Sequence, residues 1–246
     1  QHLRNMGRFL AGITKYKGMD RATVKDIIEQ GCKKMMDGTL ELSSYTLQLL
    51  HESGDYSIID GHPSYYCQLT DYSPLLDFAV LGHCIANTSY KWRLQLGHDG
   101  QYMQSTDRIA MLVQTLNSHS NPSYTMERID CWYETPECAQ HLLLELPQYA
   151  LQHTQELQLL SNDANPRPLP VSLYEHILPK MSRLHKLRLY YGAVSTSTAI
   201  ALADIIKNNN TLQYVDLVAN NIGGEGVEAL EKIREIKKDL ELSIYQ

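Results

Sequence analysis

Between residues 208 and 230 the chain reads NNNTLQYVDLVANNIGGEGVEAL. Leu212, Val215, Leu217, Asn220 and Ile222 follow the spacing L-x-x-L-x-L-x-x-N-x-L. The spacing returns 28 residues upstream as Leu184, Leu187, Leu189, Gly192 and Val194. Thirty residues before that it is Thr154, Leu157, Leu159, Asn162 and Ala164. A degenerate copy, Met126, Ile129, Cys131 and Glu134, stands a further 28 residues back, and Leu94 with Leu96 a further 35. Downstream, Leu240 to Ile244 supplies a last copy, 25 or 27 residues on according to register. Each L-x-L core alternates with period two and predicts a strand. Between cores the period becomes helical: Ile109, Leu112, Val113 and Leu116; Ile200, Ala203 and Ile206; Val227, Leu230 and Ile233.

Residues 1–90 carry a different pattern. Val24, Ile27, Ile28, Cys32 and Met35 share one helical face, as do Leu42, Tyr45 and Leu49. Ser73 and Pro74 suit an N-cap and a first helical position ahead of LLDFAVLGHCI. These spacings predict an all-helical unit that ends between Asn87 and Trp92.

The expected fold is therefore α/β. A helical N-terminal domain (1–90) precedes a leucine-rich-repeat domain (91–246), a horseshoe formed as a right-handed β-α superhelix. Strands line its concave face and helices its convex face. Inward Leu, Val and Ile of successive units stack into one core that no unit builds alone. Asn220 and Asn162 are placed to bond turn backbone left unpaired where the chain leaves a strand. Gly223, Gly224 and Gly226 are read as permitting the turn into the next helix. The proline-rich NPRPLP, residues 165–170, widens one loop by about two residues relative to the repeat.

Composition narrows the function. A net charge of −6, with no long basic block, argues against a nucleic-acid surface. The longest apolar runs fall short of the roughly 18 residues of a membrane span. No basic-then-apolar signal segment opens the chain, which starts at Gln1 and is expected to be a fragment or processed piece. Five cysteines without a C-x-x-C suit free, mostly buried thiols in a reducing compartment.

Catalytic chemistry finds little support. His83 and Cys84 are adjacent, and on a helix such neighbours point apart. Cys131, Cys138 and His141 lack zinc spacing, and no G-x-S-x-G elbow occurs. The chain reads as non-enzymatic, with no cofactor or metal of its own. The candidate binding residues flank the L-x-L cores: Asp130, Trp132, Tyr133, Arg188, Tyr190, Tyr191, Tyr214 and Asp216. Trp, Tyr and Arg are the types enriched at binding hot spots, although aromatics on neighbouring strands also stack simply to cover backbone.

Residues 184–233 resemble a ribonuclease-inhibitor-type leucine-rich repeat, and the likeness extends back to residue 94. A second resemblance covers the first part. Phe9–Ile13, Leu49–His51 and Leu81–Ala86 are similar, in that order, to the F-x-A-G-L, L-L-H and L-G-Y-C-I-A elements before the repeats of NACHT-LRR (NOD-like) receptors. His83 stands where the family has an aromatic. The resemblance implies a cytoplasmic, protein-recognising sensor and autoinhibitory module of an innate-immune receptor. It would bind a protein ligand on the concave face and contact a nucleotide-binding domain absent from this chain. ATP or ADP would bind upstream, because no G-x-x-x-x-G-K-S/T loop is present here. A free-standing repeat scaffold or inhibitor without a nucleotide switch is the alternative. A third reading, regulation of a small GTPase, has no marked catalytic polar group to support it.

Overall fold

The computed structural model describes residues 21–55, 62, 64–98, 100–119 and 123–244. The Phe9–Ile13 element lies outside them. Among the described residues nine strands form one sheet in chain order: β1 (Lys33–Lys34), β2 (Leu40–Leu42), β3 (Tyr65–Leu69), β4 (Lys91–Leu96), β5 (Thr125–Tyr133), β6 (Glu156–Ser161), β7 (Lys186–Tyr190), β8 (Tyr214–Asp216) and β9 (Glu241–Ser243). Every neighbouring pair from β2 to β9 is parallel. The short β1 returns antiparallel on β2 and covers that edge.

Parallel neighbours need a crossover, and the crossovers are helical. The described helices are α1 (Arg21–Gln30), α2 (Ser44–Ser53), α3 (Leu75–Ala86), α4 (Thr106–Asn117), α5 (Pro136–Glu145), α6 (Gln148–His153), α7 (Val171–Ile177), α8 (Thr196–Asn208) and α9 (Gly224–Ile236). Crossovers of one hand that always step the same way along a sheet place their helices on one face. Accordingly α2 packs on α3, α3 on α4, α4 on α5, α5 on α7, α7 on α8 and α8 on α9. Among the described residues no helix covers the other face of the sheet.

The core lies between the two layers and repeats by register. Leu42, Cys67, Leu94, Ile129, Leu157, Leu187, Val215 and Leu242 pair strand to strand, and all are buried. Leu69, Leu96, Cys131, Leu159 and Leu189 form a second buried row. Val215 pairs with Leu242, which sets the last spacing at 27 residues.

Several expectations are corrected. The first ninety residues are not all-helical: β2 and β3 continue the sheet, with Leu40, Tyr65 and Trp92 in register. No sheet boundary falls between Asn87 and Trp92, because β3 and β4 pair across it and α3 packs on α4. Leu42 belongs to β2, and Ser43 caps α2 by accepting the Thr46 N–H at 3.2 Å. The α1 helix ends at Gln30, short of Cys32 and Met35. Ser73 does not cap α3; its Oγ accepts the Thr70 N–H at 3.0 Å, and Pro74 occupies the cap position. Ala164 is exposed, and Leu169 beyond the proline loop fills the core instead, at 1% exposure. Gly223, at φ −64°, is not needed for a left-handed turn; a Cβ there would lie 2.9 Å from Thr196 Oγ1, whereas one on Gly224 would meet nothing within 4 Å. A Cβ on Gly226 would lie 2.7 Å from Ile222 Cγ2 and 3.0 Å from Ala199 Cβ.

Most of the described motif residues of the pre-repeat resemblance have packing roles. Leu49, Leu50, Leu81, Cys84 and Ile85 are buried. A Cβ on Gly82 would sit 2.8 Å from the Leu112 carbonyl, so glycine lets α3 approach α4.

Candidate functional site

The open face carries two outward rows. One runs Glu41, Tyr66, Arg93, Arg128, Glu156, Lys186, Tyr214 and Glu241; the other runs Gln68, Gln95, Asp130, Gln158, Arg188, Asp216 and Ser243. Period-two alternation turns both rows away from the helices. Parallel in-register pairing brings side chains from residues 30 apart, such as Glu156 and Lys186, side by side.

Asp216 organises one end of the face. It is 8% exposed and accepts hydrogen bonds from Tyr190 Oη at 2.7 Å and Tyr214 Oη at 2.9 Å. Burial, then the Asp216 carboxylate, pushes the Tyr190 hydroxyl above its ordinary range. The bond to Asp216 raises Tyr214 as well. Both rings are thus held as neutral donors, and the Arg188 guanidinium lies 5.3 Å from the Tyr214 centroid.

Glu156 organises the middle. Its carboxylate is reached by Lys186 at 3.3 Å, Arg188 at 3.6 Å and Arg128 at 3.8 Å. Arg128 also bonds Asp130 at 2.8 Å and Gln158 at 3.1 Å. Burial raises the Asp130 carboxyl pKa, and the Arg128 charge opposes that rise. Arg93, the next cation in the row, is held by Glu127 at 2.7 Å and by Asp37. Between them lies a polar cavity of about 340 Å³ at the ends where β5, β6 and β7 begin.

The opposite strand ends differ in charge. A cavity of about 460 Å³ is lined by Asp71, Tyr72, Tyr102, Glu134, Asn162 and Asp163, among others, and by no Lys or Arg among the described residues. The Trp132 ring lies 6.0 Å from Tyr102 beside it.

The predicted residues therefore divide. Arg188, Tyr190, Tyr214 and Asp216 form one network, Asp130 serves Arg128, and Trp132 joins Tyr102. Tyr191 lies beyond β7 with φ 55° and 40% exposure, its ring 6.2 Å from Tyr190. Tyr133 is a correction: it is fully buried, because the residue after outward Trp132 points inward, and its Oη donates to the Arg167 carbonyl at 3.3 Å. Leu160, in register between Trp132 and Tyr190 beyond the two rows, is buried. The two aromatics thus flank a covered leucine at this end of the open face.

Sequence reasoning missed Arg93, Glu127 and Tyr66. Reading Tyr66 as part of a helical unit hid its place in the row. Glu127 occupies a register irregularity between β4 and β5 that spacing alone does not reveal. The β4 unit held a usable signal, since Arg93 immediately precedes Leu94 in an L-x-L core.

The thiols are held protonated by their surroundings. Burial raises Cys67, Cys84, Cys131 and Cys138 and pushes Cys32 up to about 11. Cys84 is buried, while the neighbouring His83 ring meets His51 at 5.3 Å and His119 at 5.2 Å. Among the described residues no His, Cys, Asp and Glu group has metal-holding geometry, and no helix is long and apolar enough to cross a membrane. No family model matches the chain, and no curated protein matches it.

Proposed function

We propose that this chain is a protein-recognition module of the leucine-rich-repeat type, curved into a horseshoe with the open sheet face concave. One observation carries the reading: the open face of eight parallel strands presents arginine and tyrosine already fixed by hydrogen bonds and ion pairs, with Trp132 beside them in ring contact with Tyr102. Side chains ordered before binding lose little entropy when a partner docks, and these residue types dominate binding energy. The module acts by binding and not by catalysis, with a protein as its ligand. In the parent reading it is the sensor and autoinhibitory part of a cytoplasmic NACHT-LRR receptor, and ATP or ADP binds outside this chain.

A free-standing scaffold or inhibitor is the second reading, and one observation favours it. Strand–helix units run unbroken from Leu40, without a separate helical connector among the described residues. The coding sequence upstream separates the two readings: a phosphate-loop motif supports the receptor, and its absence supports the scaffold. The binding assignment is tested with the full chain as bait. Trp132→Ala with Tyr190→Ala is expected to abolish capture of a partner bound by the unaltered chain. Hydrogen exchange of the complex should show protection on β5 to β8. Unchanged capture, with protection confined to the helices, would overturn the assignment.

A further inference from the structure

The cavity between β5 and β7 has an unusual charge balance. Four cations line it, Arg93, Arg128, Lys186 and Arg188, against two carboxylates, Glu127 and Glu156. Arg93 and Arg128 have close carboxylate partners at 2.7 and 2.8 Å. Lys186 and Arg188 do not. Among the described residues their only carboxylate within ion-pair reach is Glu156, at 3.3 and 3.6 Å, and Glu156 is shared with Arg128. A charge-assisted N–H···O bond closes at about 2.7–2.9 Å, so one carboxylate leaves these cations short of full contact. Both are nevertheless held in place. They lie 5.7 and 5.3 Å from the centroid of the Tyr214 ring, whose hydroxyl is tied to Asp216.

We infer that Lys186 and Arg188 form a carboxylate seat for an acidic segment of the protein partner. The inference rests on the reading of the open face as a binding surface and names the partner's chemistry. An Asp or Glu side chain entering the cavity would take the donors that Glu156 leaves unfilled. The segment's neighbouring residues would then lie over Tyr190 and Tyr214. A protein segment fits better than a nucleic acid. The chain's net charge of −6 repels a long polyanion, whereas a short acidic segment meets mainly the local cations. The remaining carboxylates, Glu127 and Asp130, would also repel a continuous phosphate backbone.

The test uses the full chain and a fluorescent hexaglutamate peptide, with hexaglutamine, inorganic phosphate and a twelve-nucleotide single-stranded DNA for comparison. Hexaglutamate is expected to bind and hexaglutamine not to. Lys186→Gln and Arg188→Gln should each weaken hexaglutamate about tenfold, with unfolding midpoints unchanged. Glu156→Gln should tighten it several-fold by removing the internal competitor, roughly the effect of one partly buried charge. Lys207→Gln with Lys232→Gln, exposed on helices α8 and α9, makes the same overall charge change as Lys186→Gln with Arg188→Gln and should leave binding intact. Equal binding of hexaglutamine, insensitivity to Lys186 and Arg188, or loss in the helix-side control would overturn the seat. So would tighter binding of DNA, or displacement of the peptide by equimolar phosphate. If a partner still requires Trp132 and Tyr190 while hexaglutamate fails, the seat is wrong and the binding face stands. If neither requirement holds, the binding face itself fails.

Discussion

Two asparagines occupy the same place in the repeat and do different things. Asn220, after β8, is 4% exposed. Its Nδ2 donates to the carbonyls of Leu189 at 2.6 Å and Leu217 at 2.7 Å, with Val218 at 3.2 Å sharing a hydrogen. Its Oδ1 accepts the Val194 N–H at 2.9 Å. One side chain thus stitches its own turn to the preceding unit and satisfies backbone that water cannot reach. Asn162, after β6, is only half-buried. It accepts the Ala164 N–H at 2.9 Å and donates to the Glu134 carboxylate. The proline loop has moved the core-filling role from Ala164 to Leu169, and Asn162 now lines the acidic cavity. A motif letter is structural where its side chain is enclosed. Where the following loop lengthens, the same letter becomes surface.

That contrast is sharpest in stability. Asn220→Ala strands buried donors and acceptors and should cost about 2–4 kcal/mol, read as a lower urea midpoint. Gly192→Ala comes next. Gly192 has φ 79°, and an added Cβ would lie 2.3 Å from the Pro166 Cβ, so the substitution should cost about 2 kcal/mol from strain and clash together. Pro166→Gly removes the clash but not the backbone strain. A double-mutant cycle should therefore recover about half of the Gly192→Ala cost. Full additivity would show that the two turns are not in contact. Asn162→Ala should cost about 0.5–1 kcal/mol, because its partners remain open to solvent. An effect as large as that of Asn220→Ala would erase the distinction between the two turns.

The sequence carried the buried rows well. Leu157, Leu187 and Val215 were legible because 28- and 30-residue spacings recur with one register, and all three are core. It carried the first units poorly. Leu40–Leu42 is too short to show alternation, and Tyr65–Leu69 alternates only if Tyr65 is counted as inward and Tyr66 as outward. Local pattern does not contain that choice; pairing to β4 makes it. The site was legible in residue type but not in connection. Tyr190, Tyr214 and Asp216 lie up to 26 residues apart, and only parallel register makes them one network. Tyr133 was misplaced because a pair of adjacent aromatics looks like one feature, whereas a strand sends its members to opposite faces.

The smallest expected effect examines the backbone that delivers Asn220 to its site. Ala219 has φ 59°, in the left-handed region where a Cβ costs roughly 1–2 kcal/mol. Its methyl is exposed, so no packing is lost on removing it. Gly97 and Gly192 adopt the same region after β4 and β7, at φ 79° each, with the residue type that bears no such cost. Replacing Ala219 with glycine relieves the strain but adds freedom to the unfolded chain, which offsets about 0.5–1 kcal/mol of the gain. The expected net is a stabilisation of about 0.5 kcal/mol, or roughly 1–2 °C in unfolding midpoint for a chain of this size. In the Asn220→Ala background the gain should persist, because strain at Ala219 is local and does not depend on the bonds Asn220 makes. If the gain vanishes there, the left-handed residue is held by those bonds, and the turn after β8 is a single unit of strain and compensation.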